Sequence, residues 1–309
     1  MVQLQEVFGD RIADPSKARK QMSHAMRILP FAVLLLPLIA CNPRQPVNLD
    51  SAERTEFSQF GEEGVLEKIF EIIPPTTKYA VEFGAHDGIS AANTRVFIRD
   101  EGWDALLIEG NPRRAQALAA NYEEYPGVTT KEAWIFPGNI ELLFEEAGVP
   151  RDFDLLVIDI DSNDYYVWKA IHNYRPKVVM IEANHRFKPP ELAVVDFHPF
   201  NYWDKTDYVG ASLQSLYELG KRKGYELIHV MRRGANAIFV EERYYKLFGI
   251  PDNSPTKMGR SRFRRKKDWK GYPEGKKTLK VDAFEIEKKW VELPISARTE
   301  KSAPGQPGN

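Results

Sequence analysis

The chain has 309 residues, of which 43% are hydrophobic and 28% are charged, and its formal net charge is -1. This composition is typical of a globular protein with a sizeable core, and it gives no global positive charge that would favour nucleic acid. The single cysteine, Cys41, excludes an internal disulfide.

Residues 1–41 have the layout of a secretory leader. Basic residues precede an apolar run from Ile28 to Ala40, which contains two prolines and is about half as long as a membrane span. Its end, Leu38-Ile39-Ala40-Cys41, resembles the lipobox of bacterial lipoproteins, whose cysteine is lipidated. We therefore expect a protein anchored to the membrane of the cell envelope. The alternatives are an apolar N-terminal helix, an uncleaved anchor, or an unused leader on a cytoplasmic protein.

After a polar tether at residues 42–57, helices and strands alternate through a body at residues 58–250. Capping residues and apolar spacing predict helices that begin near Ser58, Ser90, Pro112, Asn139, Asn163 and Ala211. Strands are predicted at 79–83, 104–110, 128–135, 153–161, 177–184, 225–231 and 235–241.

Several of these strands are apolar throughout, as expected for strands that are covered on both faces. The pattern predicts an α/β fold with a doubly wound, mostly parallel seven-stranded sheet and ligands at the carboxyl ends of its strands. The last two strands suggest an antiparallel edge. An insertion rich in proline and aromatic residues, 185–208, interrupts the pattern.

The composition changes again at residues 251–309. The segment 261–280 is basic, and the segment 296–309 has few apolar residues, which predicts a largely irregular tail. The basic run could contact anionic lipid headgroups, where each lysine contributes about 1 kcal/mol. The alternative is a solvated tail that aids solubility.

The stretch VEFGAHDG, from Val81 to Gly88, ends the first predicted strand. Its two glycines, Gly84 and Gly88, allow a sharp turn and a close approach of the backbone to a ligand. A dinucleotide site would favour G-x-G-x-x-G, and that pattern fails here because Ala85 and His86 stand between the glycines. The acid Glu82 is placed to accept hydrogen bonds from a cationic or hydroxylated ligand.

A second acid, Glu109, ends the next strand in the stretch LLIEGNP. It follows the glycine turn by about 25 residues, near the spacing at which such folds place a carboxylate on ribose hydroxyls. A carboxylate suits that place because it can accept hydrogen bonds from both hydroxyls. A purely structural role for Glu109 is the alternative.

These residues resemble the class I S-adenosylmethionine-dependent methyltransferases, and most closely their FkbM-like branch. The matching stretches are SQFGEEGVLEKIF, VEFGAHDGISAANT, GWDALLIEGNP, FDLLVIDIDSNDYYVW and VVMIEANH, and they lie between about Ser58 and Val240. The resemblance implies a Rossmann-like methyltransferase fold. One departure is Ser162, where relatives usually carry glycine in a D-x-D-G pattern.

The resemblance also implies which residues hold the cofactor, S-adenosylmethionine. They are Glu82, Gly84, Ala85, Asp87, Gly88, Glu109, Trp134 and Asp159. In this scheme the first loop lines the methionine end, Glu109 binds the ribose and Trp134 flanks the adenine. Asn93 and Thr94 support the first loop. Ordinary core packing is the alternative for Trp134.

The stretch DIDSND, residues 159–164, contains three carboxylates, which repel one another unless a cation or a proton lies among them. Oxygen ligands of this kind suit Mg²⁺ or another divalent ion. One hypothesis is that Asp161, Glu182 and Asn184 bind such an ion. In the alternative no metal binds, Asp159 binds the amino group of the cofactor, and Asp164 caps the helix that begins near Tyr165.

The predicted function is therefore a methyltransferase that uses S-adenosylmethionine, with an oxygen of a glycan-like or lipid-like acceptor as the methyl acceptor. The acceptor is inferred from family analogy alone. A base is needed only if a hydroxyl must lose its proton, and His185 and Asp161 are the candidates. The aromatic residues Phe197, Tyr202 and Trp203 could stack on the acceptor or form a lid.

Export by the leader would separate such an enzyme from a methyl donor that is made in the cytosol. A second hypothesis is therefore a membrane-tethered, non-catalytic protein that binds another ligand in the same cleft. A third is a nucleotide-sugar or dinucleotide enzyme, which the missing third glycine disfavours.

Overall fold

The structure is a computed structural model that describes residues 45–199, 203, 205–232, 236–259, 271, 276 and 278. The leader, including Cys41, and most of the basic tail lie outside these residues. Within the described part of the chain, every helix is too short or too polar to span a bilayer.

The described strands form a seven-stranded sheet. They are β1 (Tyr79–Phe83), β2 (Asp104–Glu109), β3 (Val128–Glu132), β4 (Leu155–Ile158), β5 (Val178–Glu182), β6 (Tyr225–Val230) and β7 (Asn236–Glu241). Their order in the sheet is β3-β2-β1-β4-β5-β7-β6. Strands β1 to β5 pair in parallel, and β7 runs antiparallel between β5 and β6. The predicted doubly wound sheet with an antiparallel strand pair at its edge is confirmed.

The helices cover both faces of this sheet. They are α1 (Glu62–Ile72), α2 (Arg95–Glu101), α3 (Pro112–Asn121), α4 (Ile140–Glu146), α5 (Asp164–Ala170), α6 (Leu213–Arg222), α7 (Glu242–Tyr245) and α8 (Pro255–Met258). Side chains alternate between the faces along each strand, so Val81 of β1 packs with α4, α5 and α6, while its neighbour Ala80 packs with α1, α2 and α3.

Helix α2 begins five residues later than the sequence predicts. Instead of capping a helix, Ser90 donates its backbone N–H to the carboxylate of Asp87, at 2.7 Å. The N–H groups of residues 93 and 94 are donated to the carboxylate of Glu82 on β1. Because side chains from outside the helix bind these N–H groups, the helix starts only at Arg95.

Strand β3 ends three residues earlier than predicted. The side chain of Asn139 accepts a hydrogen bond from the N–H of Phe136, at 2.9 Å, and donates one to the carbonyl of Trp134, at 2.8 Å. Trp134 and Phe136 therefore bond to Asn139 rather than to β2.

The fold continues into the first residues of the predicted tail. Asn253 donates to the carboxylate of Glu226 on β6 at 2.7 Å, and Pro255 of α8 is buried. Asp207 of the insertion donates its backbone N–H to the carbonyl of Gly271 at 3.0 Å, and its carboxylate accepts the N–H of Gly271 at 2.8 Å.

Candidate functional site

A cleft of about 420 Å³ opens where β1, β2 and β4 end. The parallel strands direct their carboxyl ends, and the loops that follow them, to this edge of the sheet, which is where ligands bind in such folds. The cleft is lined by residues 59, 84, 86, 91, 93, 108–111, 114, 133–135, 159–161, 163, 199 and 203. Four of the predicted cofactor residues lie in this wall, namely Gly84, Glu109, Trp134 and Asp159.

Gly84 is in the left-handed region, with φ of 69°, and a Cβ atom there would lie 1.9 Å from the carbonyl oxygen of Asp159. This contact brings the β1 and β4 loops together in the floor of the cleft. At Gly88 a Cβ atom would lie 2.2 Å from the ring of Tyr122, the residue that follows α3. The sequence suggested that these two glycines allow the backbone to approach a ligand closely. In the structure, the close contacts of both glycines are with neighbouring protein.

Glu82 is buried beneath the cleft. Its Oε1 accepts hydrogen bonds from the backbone and side-chain nitrogens of Asn93, at 2.9 and 3.0 Å. Its Oε2 accepts from the backbone nitrogen and Oγ1 of Thr94, at 3.1 and 2.5 Å. Burial raises the pKa of Glu82, although these four bonds favour the charged form. Glu82 therefore supports the loop before α2. The sequence predicts that it lines the cofactor site, but it is not among the residues that line the cleft.

Asp87 and Ala85 also lie outside the cleft wall. Burial alone would raise the pKa of Asp87, but hydrogen bonds from the N–H groups of Ser90 and Ile89 outweigh it and lower the pKa to about 2. Ala85 is buried and donates its N–H to the carbonyl of Ile108 at 3.1 Å. These residues, together with Gly88, shape the loop whose outer surface forms part of the cleft.

Glu109 and Trp134 form the β2–β3 side of the cleft. The carboxylate of Glu109 accepts the N–H of His86 at 2.9 Å on one oxygen and the N–H of Asn111 at 2.7 Å on the other. Each oxygen retains a second lone pair, so Glu109 can still accept two hydroxyl groups. The indole of Trp134 stands over Gly110, where a Cβ atom would lie 3.3 Å from the ring.

The opposite side of the cleft is acidic, with Asp159 and Asp161 in its wall and Glu182 beside them, outside the lining residues. Asp159, Asp161 and Glu182 each place a carboxylate oxygen within 4.8 Å of the other two. Burial and mutual repulsion raise the pKa values of Asp159 and Glu182 well above the usual range for acids. Although Asp161 is exposed, partial desolvation of its carboxylate by the surrounding protein raises its pKa, and the positive charge of Arg114 partly offsets this rise. This acidic cluster favours a proton or a cationic ligand.

The turn that carries the acidic cluster depends on Asp164. One of its oxygens accepts the N–H of Ile160 and the other that of Ser162, each at 3.0 Å. Burial raises the pKa of Asp164 to about 7 in spite of these bonds. The predicted role of Asp164 as the cap of a helix that begins near Tyr165 is wrong, because α5 begins at Asp164 itself with Asn163 as the N-cap.

Two predicted site residues have other surroundings. The Nδ2 atom of Asn184 donates to the carbonyls of Asp207 and Val209, and its Oδ1 accepts the N–H of Arg186 at 2.9 Å. The side-chain amide of Asn184 is therefore hydrogen-bonded to the insertion. The third group of the cluster, beside the carboxylates of Asp161 and Glu182, is supplied by Asp159, not by the predicted Asn184. His185 is half-buried and does not line the cleft, so Asp161 is the candidate base that lies in the cleft wall.

Sequence reasoning missed several lining residues, above all Gln59, Arg114 and Asn163. The quoted stretch SQFGEEG contained Gln59, but nothing in its composition indicated that it reaches the cleft. From the insertion, Pro199 and Trp203 line the cleft, while Phe197 packs against the ring of Tyr166 with centroids 5.5 Å apart. Tyr202 lies outside the described residues.

No protein-family model matches this sequence, and a search of curated proteins found no match either. Several solved structures are similar in fold. The N-terminal domain of EvdMO1 with SAH and D-fucose is 15% identical, with a TM-score of 0.39 over 58% of this chain and 82% of that one. An S-adenosylmethionine-dependent methyltransferase from Clostridium acetobutylicum is 10% identical, with a TM-score of 0.35 over 57% and 89%. The methyltransferase domain of bacterial CtHen1-C is 10% identical, with a TM-score of 0.37 over 63% and 99%. By its own strand order, this chain has the Rossmann-like fold of class I methyltransferases.

Proposed function

We propose that this protein is an S-adenosylmethionine-dependent methyltransferase that transfers a methyl group to an oxygen of a glycan-like or lipid-like acceptor. The observation that carries the proposal is the two-sided cleft at the carboxyl ends of β1, β2 and β4. One side offers a carboxylate and an indole, and the other side offers clustered acids. Because the fold alone does not determine function, the argument rests on this chemistry.

The side formed by Glu109 and Trp134 suits an adenosine group. The two unused lone pairs of the Glu109 carboxylate match the two hydroxyls of a ribose. The half-buried indole of Trp134 offers an aromatic surface on which a purine can stack.

The side formed by Asp159 and Asp161, with Glu182 beside them, suits the positive charges of the methyl donor, which carries an ammonium group and a sulfonium. Three carboxylates within 4.8 Å repel one another, and a cation between them relieves that repulsion. The same electrostatics disfavour a dinucleotide, whose phosphates are anionic.

Methyl transfer from a sulfonium is a direct displacement in which the acceptor oxygen gains the methyl group and the sulfur keeps the electron pair of the broken bond. This chain then has to hold the acceptor in line and remove its proton. Asp161 can accept that proton, because its carboxylate lies in the cleft wall and partial desolvation raises its pKa.

The acceptor class follows from the FkbM-like resemblance of the quoted stretches, and one feature of the cleft is compatible with it. Trp203 of the insertion lines the cleft and is 44% exposed. An exposed indole can stack on the apolar face of a sugar ring or on a lipid chain.

A divalent ion is a second candidate occupant of the acidic side. The donor set of Asp159, Asp161 and Glu182 fits Mg²⁺, whereas the engaged amide of Asn184 does not. Such an ion would act as a Lewis acid toward the acceptor oxygen. Titration calorimetry with Mg²⁺ tests it: heat that is lost in Asp161→Asn supports the ion, and identical traces for the two proteins exclude it.

We further propose that lipidated Cys41, or the apolar leader, anchors the protein to a membrane of the cell envelope. Palmitate labelling of the wild type and of Cys41→Ala tests the lipid anchor, and equal labelling would refute the lipidation of Cys41. If the protein is exported and binds no methyl donor, the second hypothesis holds, that of a non-catalytic protein that binds another ligand in the same cleft.

The function is tested by calorimetry with S-adenosylmethionine, S-adenosylhomocysteine and NAD. We expect binding of the first two ligands only, weakened about tenfold or more in Glu109→Gln because one acceptor oxygen becomes a donor amide. Glu132→Gln is the matched control, since Glu132 is the register partner of Glu109 on β3, is exposed and does not line the cleft. Failure of the wild type to bind either sulfur compound would end the proposal.

A further inference from the structure

The turn that precedes α1 is fixed by two glutamates of the first helical turn and by one serine of its own. The Oε1 atom of Glu63 accepts three backbone N–H groups, those of Glu56, Phe57 at 2.7 Å and Ser58 at 3.2 Å. Glu63 is 1% exposed, so these bonds form away from solvent, where each is stronger than it would be in water.

The second half of the turn is bonded in the same way. The hydroxyl of Ser58 accepts the N–H of Gly61 at 3.2 Å and that of Glu62 at 3.0 Å. The carboxylate of Glu62 accepts the N–H of Phe60 at 2.8 Å. Six backbone donors around Gln59 are therefore bound to side chains, and this residue is presented at the apex of a rigid turn.

The position of the turn relates Gln59 to one side of the cleft. Glu62 accepts a hydrogen bond at 3.0 Å from Asn236, the residue of β7 that pairs with Glu182 of β5. The ring of Phe57 lies under the guanidinium of Arg99 on α2, 4.6 Å away. The turn thus lies between the start of β7 and α2, away from the Trp134 side, and exposed Gln59 lines the cleft there.

This side of the cleft poses an electrostatic problem for an amino-acid group. Asp159 and Asp161 can receive the ammonium group, but they repel the carboxylate that is only two bonds away from it. A neutral donor is suited to that carboxylate, because it binds the anion without competing for the acids. The amide of Gln59 has two N–H donors and no charge.

We propose that Gln59 donates a hydrogen bond to the carboxylate at the methionine end of the bound methyl donor. The inference rests on the proposed function and deepens it, because it assigns the amino-acid end of the ligand to the turn that precedes α1. Gln59 then selects ligands that carry the whole amino acid over those with adenosine alone.

The test compares two ligands on the full-length protein by calorimetry. S-adenosylhomocysteine carries the amino acid, and 5′-methylthioadenosine lacks it. In Gln59→Ala we expect the Kd for S-adenosylhomocysteine to rise about tenfold, as for the loss of a hydrogen bond to a charged group, while the Kd for methylthioadenosine changes less than twofold. Gln59→Glu should weaken S-adenosylhomocysteine binding further by repulsion.

Gln116→Ala is the matched control, since Gln116 is exposed on α3 and does not line the cleft. Thermal unfolding of each variant shows that it has folded. If Gln59→Ala weakens both ligands equally, or neither, the role of Gln59 is refuted while the proposed function stands. If the wild type binds methylthioadenosine and S-adenosylhomocysteine equally well, the carboxylate contact is likewise refuted. If it binds neither, the proposed function itself fails.

Discussion

Replacement of Gly84 by alanine tests the contact on which the floor of the cleft depends. The φ of 69° makes any L side chain unfavourable by about 1–2 kcal/mol. The new Cβ would also lie 1.9 Å from the carbonyl oxygen of Asp159. This oxygen belongs to the backbone, so a side-chain rotamer change cannot relieve the clash and the backbone itself has to move. Overpacking of this kind typically costs about 1–3 kcal/mol. The sum predicts a loss of about 2–5 kcal/mol in the free energy of unfolding.

Gly102→Ala is the matched control. Gly102 has nearly the same φ, 66°, but no atom lies within 4 Å of where its Cβ would be. It should therefore show the strain of the left-handed backbone alone. Urea unfolding of both variants, followed by tryptophan fluorescence, measures the difference, which is the contribution of the clash. If Gly84→Ala is no less stable than Gly102→Ala, the close approach of the β1 and β4 loops is refuted.

Three further predictions concern charge. Asp154→Ala should lower the free energy of unfolding by roughly 3–5 kcal/mol in urea, because it leaves the buried Lys177 ammonium without its carboxylate at 2.9 Å; a loss below about 1 kcal/mol would contradict this. Burial alone would raise the pKa of Glu53, but hydrogen bonds from His229 and Arg232 lower it to about 2. Glu53→Gln should therefore lower the free energy of unfolding above pH 4.5, and its difference from the wild type should disappear as the pH falls toward 2. A difference that does not depend on pH would contradict this prediction. In the acidic cluster the raised pKa values mean that charge is gained as the pH rises. The affinity ratio of cationic S-adenosylmethionine to S-adenosylhomocysteine should therefore increase as the pH rises in calorimetry, and less so in Asp161→Asn; a flat ratio in the wild type would contradict the acidic cluster as the cation site.

The sheet could be predicted from the sequence because its strands are defined locally. The β4 residues Leu155–Ile158, and the β5 residues Val178–Glu182 apart from the final acid, are apolar runs bounded by turns, and the structure buries these apolar residues on both faces. Helix α3 was equally clear, since Pro112 follows the capping residue Asn111, whose side chain accepts the N–H groups of residues 113 and 114.

The start of α2 could not be predicted, because a residue outside the helix determines it. Glu82 lies 11 and 12 residues before Asn93 and Thr94, the residues whose N–H groups it accepts. Local propensity favoured a helix from Ser90, and this distant buried carboxylate prevented it. A carboxylate at the end of a strand has the same sequence pattern whether it faces a ligand or a loop.

The candidate site could be predicted only in part, for the same reason. Glu109 and Asp159 reach the cleft, whereas Glu82 and Asp87, which are also carboxylates within or soon after a strand, bind N–H groups of the chain between β1 and α2 and do not line the cleft. Which acids are turned inward depends on the path of the following loop. The position of Gln59 in the cleft wall could not be predicted either. It depends on a contact between α1 and β7, which are far apart in the sequence and leave no local pattern.

The charge on the two sides of the cleft decides between the ligands that the fold could hold. The Glu109 carboxylate is already stabilised by two backbone N–H groups, so it needs no cation and can accept neutral hydroxyls. Asp159 and Glu182 are partly buried acids beside a third carboxylate, with Arg114 as the cation that offsets the charge of Asp161. A ligand with an anionic pyrophosphate would add repulsion on that side, while a ligand with a sulfonium and an ammonium group would remove it. We therefore expect the charge of the acidic side, rather than the glycine pattern of the first loop, to favour a cationic ligand over an anionic one.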